Sequence, residues 1–140
     1  MVKLRDYRVE DQDAVVTLWW RSWHSIRPGL RHPQPLAAWH TRWAGDIVPW
    51  QTVVVADDEG TVVGFAATDV SAGELTQIFV EPGHKGEGIG GRLLARAKRL
   101  MPDGFRLHTL TDNLDSRRSY ERHGLIPGGG PDQPDQWYGD

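Results

Sequence analysis

A glycine-rich run, Lys85-Gly86-Glu87-Gly88-Ile89-Gly90-Gly91, is the feature that most constrains how this chain can fold. An apolar segment precedes the run, and apolar residues recur at three- and four-residue spacing after it, which predicts a strand, a loop and a helix. Glycine has no Cβ, so its backbone can approach an anion closely. The first N–H groups of a helix lack partners within the helix and lie at the positive end of its dipole. The sequence therefore predicts a loop that binds a phosphate or pyrophosphate group.

Positively charged side chains accompany this run. Lys85 opens it and Arg92 follows it, so both can add charge next to a bound phosphate. Arg92, Arg96 and Arg99 form a basic stripe along the predicted helix, which is most simply a solvated face. The alternative for the stripe is that Arg92 or Arg96 contacts a nucleotide phosphate. The alternative for the whole run is a flexible loop that leads into a surface helix.

Strand and helix patterns follow one another in the order β-α-α-β-β-β-α-β-α-(β). The predicted strands span residues 2–8, 52–56, 61–70, 74–80 and 105–110, with a short one at 136–138, and the predicted helices span residues 11–27, 36–47, 90–101 and 113–123. Three hairpin-linked strands followed by strand–helix–strand predict an α/β (α+β) fold, in which a mixed sheet has helices on both faces. The chain shows no repeat and no boundary, so we expect a single domain over residues 1–140.

Composition excludes several classes of function. The formal net charge of −3 is too small to indicate nucleic acid or an anionic membrane as the main partner. The absence of cysteine excludes disulfides, thiolate catalysis and cysteine–zinc sites, and the six histidines lack the spacing of a zinc helix, so no metal is expected. No stretch approaches the roughly 20 apolar residues of a membrane span, and charges interrupt the N-terminus at once. We therefore expect a soluble chain in the cytoplasm.

The glycine spacing also matches a dinucleotide-binding fingerprint. Gly86-x-Gly88-x-x-Gly91 has the required pattern, and Asp112 follows about 20 residues later. However, residues 81–85 separate the strand from the glycines, whereas the fingerprint turns tightly. Only 28 residues follow Asp112, which is too few for the rest of a doubly wound sheet. A nucleotide-dependent, Rossmann-like enzyme is therefore the alternative.

Two motifs resemble those of the GNAT superfamily of acetyl-CoA-dependent N-acyltransferases. The first is Glu74-Leu75-Thr76-Gln77-Ile78-Phe79-Val80-Glu81-Pro82 followed by Lys85-Gly86-Glu87-Gly88-Ile89-Gly90, where Lys85 replaces the family's glutamine or arginine. The second is Asn113-x-x-Ser116-x-x-Ser119-Tyr120-x-x-x-Gly124-Leu125, where the family has Gly-Phe at the end. The clear resemblance covers about residues 53–126. It implies a sheet of six to seven strands that splays between the strands at 74–80 and 105–110.

The resemblance implies a binding site for acetyl-CoA. The pantetheine arm would lie in the splayed region, where the backbone of the first strand would hold it and polarise the thioester carbonyl. The loop amides would bind the pyrophosphate, and Asn113 would contact the arm unless it only caps a helix. The residues expected to contact acetyl-CoA are Ile78, Phe79, Val80, Lys85, Gly86, Glu87, Gly88, Ile89, Gly90, Gly91, Arg92, Asn113, Ser116 and Tyr120.

The resemblance also implies direct attack of an amine on the thioester in a ternary complex. Tyr120 matches the family tyrosine that donates a proton to the leaving sulfur, and a phenol is protonated at neutral pH. Glu74 matches the position of a glutamate that acts as the base, here through water. His24 is the reserve base. The alternatives are a packed Tyr120, a solvated Glu74 at a strand end, and a structural His24.

Tryptophan is concentrated in the first third of the chain, where family members build the acceptor site. Six of the seven tryptophans lie between Trp19 and Trp50, and most of them fall on core-facing stripes. Trp20 lies off the main stripe, so Trp20, Trp23 and His24 are the candidate acceptor residues. An aromatic wall suits an apolar amine or a cation. The expected acceptor is a primary amine of a small molecule.

Two points stay open at this stage. A catalytically silent acyl-CoA sensor would have the same motifs but show no turnover. After Gly128-Gly129-Gly130-Pro131 only nine residues remain for the final strand that shapes the acceptor site in the family. That strand is short, missing or supplied by a partner chain, which leaves a homodimer open.

Overall fold

The computed structural model describes residues 1–26, 34–84, 86–108, 118, 120–127 and 136–139. Within these residues, seven strands form one mixed sheet with helices on both faces. The strands are β1 (Val2–Asp6), β2 (Thr52–Asp58), β3 (Thr61–Asp69), β4 (Glu74–Val80), β5 (Phe105–His108), β6 (Ile126–Pro127) and β7 (Gln136–Gly139). The helices are α1 (Gln12–Ile26), α2 (Leu36–Arg42) and α3 (Ile89–Leu100). The described helices include none that is long and apolar enough to cross a bilayer.

The order of strands across the sheet is β1-β2-β3-β4-β5-β7-β6. The first four strands form an antiparallel meander, whereas β4 pairs with β5 in parallel. Glu59 and Gly60 join β2 to β3 with positive φ angles of 51° and 96°, which suits the twist of a tight hairpin. The Asp57 carboxylate accepts the N–H of Gly60 at 2.6 Å and closes this turn. The predicted mixed α/β architecture is therefore confirmed.

The sheet opens between β4 and β5. Among the described residues, these strands pair only at Glu74 with Arg106 and at Leu75 with Leu107. The register between β3 and β4 shifts immediately afterwards, which leaves Thr76 as the extra residue of a β-bulge. Within the described part of the chain, β4 is therefore paired with β3 alone from Thr76 to Val80, and we call the space on its other side the gap. The predicted splay is present, although residues 109–110 lie outside the described residues.

Two hydrophobic cores cover the two faces of the sheet because strand side chains alternate. On one face, Leu75, Ile78 and Val80 of β4 pack with α3. On the other face, Phe79 packs with residues of α1 and α2. The tryptophans at the centre of this second core are Trp19, Trp39 and Trp43, which confirms that most of the tryptophan stripe is core.

The N-terminal boundary differs from the prediction. Strand β1 ends at Asp6 rather than at residue 8, because a 3₁₀ turn at Val9–Asp11 leads into α1. Asp11, the first residue of the predicted helix at 11–27, lies in this turn, before α1 begins at Gln12. The Asp11 carboxylate accepts the backbone N–H of Arg8 at 2.8 Å and also binds the guanidinium of Arg5. Helix α1 thus begins one residue later than the predicted helix.

The C-terminal elements are partly as predicted. Residues 120–122 are helical and Gly124 has a φ of +82°, as expected for the glycine that ends a helix. Most of the predicted helix at 113–123 lies outside the described residues. Strand β7 contains the predicted strand at 136–138, and β6 is an additional strand of two residues.

Candidate active site

The glycine loop, residues 85–91, joins β4 to α3. Gly86 and Gly88 have φ angles of +87° and +81°, a conformation that side chains disfavour, and Gly88 is the N-cap of α3. The N–H of Arg92 donates to the carbonyl of Gly88 at 3.2 Å. The N–H groups of Ile89 and Gly90 therefore precede the first hydrogen bond within the helix. This arrangement provides outward-facing donors at the positive end of the helix dipole.

The backbone of β4 presents hydrogen-bonding groups to the gap. The N–H of Glu81 donates to the carbonyl of Val63 in β3 at 2.8 Å. Backbone groups in a strand alternate in direction. The N–H and C=O groups of Phe79 therefore also point toward β3, whereas those of Ile78 and Val80 point into the gap. The N–H of Phe79 therefore belongs to the ladder with β3, so any contact of Phe79 with acetyl-CoA stays a prediction and would have to use its other atoms. Ile78 and Val80 are the residues of the predicted trio whose N–H groups remain available.

A cavity of about 700 Å³ connects the gap to the glycine loop. We call it the donor cavity, because the family resemblance implies that the acetyl donor would bind here. It lies between β4, the start of α3 and the helical segment that contains Tyr120. Its walls combine apolar side chains, glycine backbone and basic side chains. The lining residues are Ile78, Val80, His84, Gly86, Gly88, Ile89, Gly90, Gly91, Leu94, Arg118, Tyr120, Arg122 and His123.

Tyr120 lines the donor cavity and belongs to the core on the α3 face, with 6% of its surface exposed. Its carbonyl accepts the N–H groups of His123 at 3.2 Å and of Leu125 at 2.9 Å, which closes the helical segment. Lys98 of α3 donates to the carbonyl of His123 at 2.8 Å and holds this segment against the helix. The segment thus fixes the phenol beside the gap.

Several cavity residues were not found from the sequence. His84, Leu94, Arg118, Arg122 and His123 all line the donor cavity. Arg118 and Arg122 lie two residues before and two after Tyr120, so they are separated by one helical turn. This spacing beside the family tyrosine is the signal that could have identified them.

The side chain of Arg92 is directed away from the donor cavity. Its guanidinium donates to the carbonyl of Val2 in β1 at 2.8 Å, so in this structure the side chain is engaged away from the glycine loop, and its contact with a phosphate stays a prediction. The carboxylate of Glu87 lies 3.2 Å from Nδ1 of His84. Lys85, Asn113 and Ser116 lie outside the described residues.

Glu74 lies at the opposite end of β4 from the glycine loop. Its carboxylate is 3.9 Å from the guanidinium of Arg106, its partner in the parallel β4–β5 register. The side chain is 26% exposed and is not among the residues that line the donor cavity. Glu74 therefore sits at the paired start of β4, two residues before the gap opens at Thr76.

Trp20, Trp23 and His24 come together on α1, and we call them the aromatic group. The imidazole centroid of His24 lies 4.3 Å from Trp20 and 4.9 Å from Trp23. Nδ1 of His24 is 2.7 Å from the carbonyl of Trp20, so it donates and Nε2 is the basic nitrogen. Trp20 and Trp23 pack against the core on the α1 face. The aromatic group therefore lies on the opposite face of the sheet from α3.

No group of three or more histidine, cysteine, aspartate or glutamate side chains in the described part of the chain is arranged to hold a metal ion.

Comparisons with solved structures show which known proteins share this fold. The chain is 18% identical to the PaiA N-acetyltransferase of Thermoplasma acidophilum in complex with coenzyme A, with a TM-score of 0.78 over 99% of this chain and 98% of that one. It is 13% identical to a GNAT-family acetyltransferase of Staphylococcus aureus Mu50, with a TM-score of 0.77 over 99% and 98%. It is 21% identical to YjaB of Escherichia coli, with a TM-score of 0.70 over 99% and 95%. Comparison with curated proteins gave no significant match.

The dinucleotide alternative fails on topology. A Rossmann unit requires parallel strands on both sides of its first strand–helix connection, whereas β4 is antiparallel to β3. The model of the acetyltransferase (GNAT) family matches residues 13–125, which is most of the sequence. The chain therefore belongs to the GNAT family of acetyltransferases.

Proposed function

We propose that this chain transfers an acetyl group from acetyl-CoA to a primary amine of a small molecule, by direct attack within a ternary complex. The main support is the gap between β4 and β5. It leads from the amides of the glycine loop, past Ile78 and Val80, to the buried phenol of Tyr120. One continuous cavity thus presents hydrogen-bond donors for an anion and for an extended arm that contains amides, and a phenol that can protonate a leaving group.

The donor cavity fits coenzyme A. Its volume of about 700 Å³ is in the range of small-molecule sites. Two left-handed glycines and the start of α3 provide backbone N–H groups for the pyrophosphate. The gap-facing backbone of Ile78 and Val80 can pair with the amides of pantetheine, as another strand would. Apolar side chains of Ile89 and Leu94 line the same path.

Acetyl-CoA supplies an acetyl thioester as the electrophile. The gap-facing N–H groups of β4 stabilise negative charge on the thioester oxygen. Their positions are fixed because the alternate residues of β4 pair with β3. Tyr120 donates its phenolic proton to the sulfur as that atom leaves. Because Tyr120 is packed in the core on the α3 face, its hydroxyl needs no reorganisation to do so.

The amine must lose its proton before or during the attack. Glu74 is the proposed base, acting through water, because it lies two residues before the gap opens and is partly shielded from solvent. His24 is the reserve, since donation from Nδ1 to Trp20 leaves Nε2 as a basic nitrogen. Replacing Glu74 by Gln should remove the acidic limb of the rate–pH profile. If His24→Gln removes that limb instead, His24 is the base.

The acceptor is proposed to approach from the α1 face, where the aromatic group lies. Trp20 and Trp23 are half-buried, and flat aromatic surfaces bind apolar amines and cations. Trp20→Ala should raise the KM for an aromatic or apolar amine about tenfold, with the KM for acetyl-CoA unchanged. Trp50→Ala is the matched control, because Trp50 is exposed outside the aromatic group. An unchanged acceptor KM for every amine accepted would exclude this wall.

The proposed function is tested by titration calorimetry followed by a turnover assay. Acetyl-CoA and CoA should bind with micromolar affinity, whereas NADH should not bind. Release of free thiol should then be screened over arylalkylamines, polyamines, amino acids and aminoglycosides. Turnover with a small amine supports the proposal. Binding without turnover for any amine class, peptides included, would indicate a silent acyl-CoA sensor, and failure to bind acetyl-CoA would refute the proposal.

A further inference from the structure

Two arginines that line the donor cavity have no partner in the rest of the described chain. Arg118 and Arg122 line the cavity, and both are exposed. They lie one helical turn apart, a spacing that brings their side chains together. Within the described residues neither guanidinium makes an ion pair or a hydrogen bond. The two side chains therefore present a pair of uncommitted cations to whatever fills the cavity.

Neighbouring cations are engaged by the protein itself. Arg92 donates to the carbonyl of Val2, and Lys98 donates to the carbonyl of His123. Arg21 pairs with Glu81 at 2.7 Å, just beyond the end of β4. Among the described residues that line this cavity, the uncommitted lysine or arginine charge is therefore concentrated on Arg118 and Arg122.

The charge of the ligand indicates what these arginines would meet. Coenzyme A has a pyrophosphate and, separately, a phosphate on the 3′ position of its ribose. The backbone amides at the start of α3 account for the pyrophosphate. The ribose phosphate is a dianion that needs its own donors, and two guanidinium groups can bind one phosphate through several charge-assisted hydrogen bonds. The described side chains that line the cavity include no carboxylate that would oppose it.

We propose that Arg118 and Arg122 form a subsite for the 3′-phosphate of coenzyme A. This subsite would make the protein select CoA thioesters over those of dephospho-CoA and of phosphopantetheine. The inference rests on the proposed function, because it assumes that coenzyme A occupies the donor cavity. It adds a recognition role for two residues outside the glycine loop.

The experiment compares two ligands that differ only in the 3′-phosphate. Binding of CoA and of dephospho-CoA is measured by calorimetry for the unmodified protein and for the Arg118→Ala/Arg122→Ala double variant. Loss of two charged hydrogen-bonding groups should weaken CoA binding about 30-fold or more. The affinity for dephospho-CoA should change by less than about threefold, since its missing phosphate is the group the arginines contact.

Arg99→Ala is the matched control. Arg99 is an exposed arginine of α3 that does not line the cavity. Its replacement removes one guanidinium charge from the protein without removing a group from the cavity. Arg99→Ala should weaken the binding of CoA and of dephospho-CoA equally and only slightly. Because Arg118 and Arg122 are exposed, all variants should unfold at nearly the same temperature.

Three outcomes would overturn the inference, and they separate it from the proposed function. If the unmodified protein binds CoA and dephospho-CoA equally, no 3′-phosphate subsite exists, although the proposed function stands. If the double variant loses affinity for both ligands by the same factor, the arginines act on the pyrophosphate or through the long-range electrostatic potential of the protein. If the unmodified protein binds neither ligand, the proposed function fails and the inference fails with it.

Discussion

Tyr120 occupies two environments at once, since its side chain packs in the core on the α3 face and also lines the donor cavity. A buried phenol with this position can donate a proton to a leaving thiolate without first being ordered. The sequence identified Tyr120 from a family motif, because spacing alone also fits a packed helix residue. What distinguishes the two roles is the effect of the hydroxyl on catalysis.

Tyr120→Phe should lower kcat about 100-fold or more while leaving the Kd for acetyl-CoA unchanged, because general acid catalysis of this kind contributes at least that factor. Tyr7→Phe is the matched control. The hydroxyl of Tyr7 accepts a hydrogen bond from the indole N–H of Trp43 at 3.1 Å in the core on the α1 face, so its loss should affect stability but not kcat. An equal kcat for Tyr120→Phe and the unmodified protein would contradict the acid role.

Basic residues show where sequence reasoning was insufficient at this scale. Arg92 follows the glycine loop directly, so proximity in sequence suggested a phosphate contact. In the structure the guanidinium turns to the carbonyl of Val2, 90 residues away in the chain. Arg118 and Arg122 line the cavity only because their helical segment packs across from α3. Long side chains are placed by such tertiary contacts, which a motif does not contain.

At the scale of elements, β4 is the strand that creates the site. Its predicted bounds, residues 74–80, agree with the observed Glu74–Val80 because apolar and β-branched residues are bounded by turn residues on both sides. The bulge at Thr76 could not be predicted, since a bulge is a property of the register between two strands. Strand β6 was missed because two residues give no readable pattern.

The bulge is held by the side chain of Thr76. Its hydroxyl bonds the carbonyl of Ala67 at 3.1 Å and also contacts the side-chain amide of Gln51. Both partners lie on the side of β4 away from the gap, so the hydroxyl fixes the residue at which β4 leaves β5. The bulge therefore sets where the gap begins.

Thr76→Val keeps the β-branched shape but removes the hydroxyl. We expect a loss of about 1–2 kcal/mol in the free energy of unfolding, measured by urea denaturation, because polar groups of Ala67 and Gln51 lose a partner. The affinity for CoA should fall as well. Thr61→Val, the same change at an exposed position of β3, should leave stability within about 0.5 kcal/mol. If the two variants behave alike, the hydroxyl of Thr76 does not hold the bulge.

At the scale of the whole molecule, an ion-pair cluster joins three parts of the chain. The guanidinium of Arg5 in β1 binds Asp11, at the entry to α1, through two bonds of 2.8 Å. It also binds Asp57 in β2 at 2.8 Å. Hydrogen bonds from Arg5 lower the pKa of both carboxyl groups, with support from the N–H of Arg8 at Asp11 and of Gly60 at Asp57. All three side chains are largely shielded from solvent.

This cluster predicts how stability depends on pH. A carboxyl group whose pKa is lowered by folding stabilises the folded state fully above its ordinary pKa of about 4, and this contribution is lost as the pH falls from there through the lowered value. Arg5→Ala should cost about 3 kcal/mol at pH 7 because it leaves buried carboxylates unpaired. It should also flatten the loss of stability below about pH 4.

Lys3→Ala is the control for this prediction, because Lys3 is an exposed cation of the same strand. It should change the free energy of unfolding by less than about 0.5 kcal/mol and leave the pH profile intact. Urea denaturation between about pH 2.5 and pH 7 measures both effects. An acid profile for Arg5→Ala as steep as that of the unmodified protein would show that the cluster does not govern acid stability.

The central claim is that acetyl-CoA binds in the gap as an additional partner of β4, and amide hydrogen exchange at single residues tests it most directly. The N–H groups of Ile78 and Val80 point into the gap, whereas the N–H of Phe79 is paired with β3. At a ligand concentration of about 100 times Kd, exchange at Ile78 and Val80 should slow by up to about 100-fold. Exchange at Phe79 should be slow already and should respond less. Unchanged exchange at Ile78 and Val80 with bound acetyl-CoA would contradict the account, because the ligand would then occupy another place.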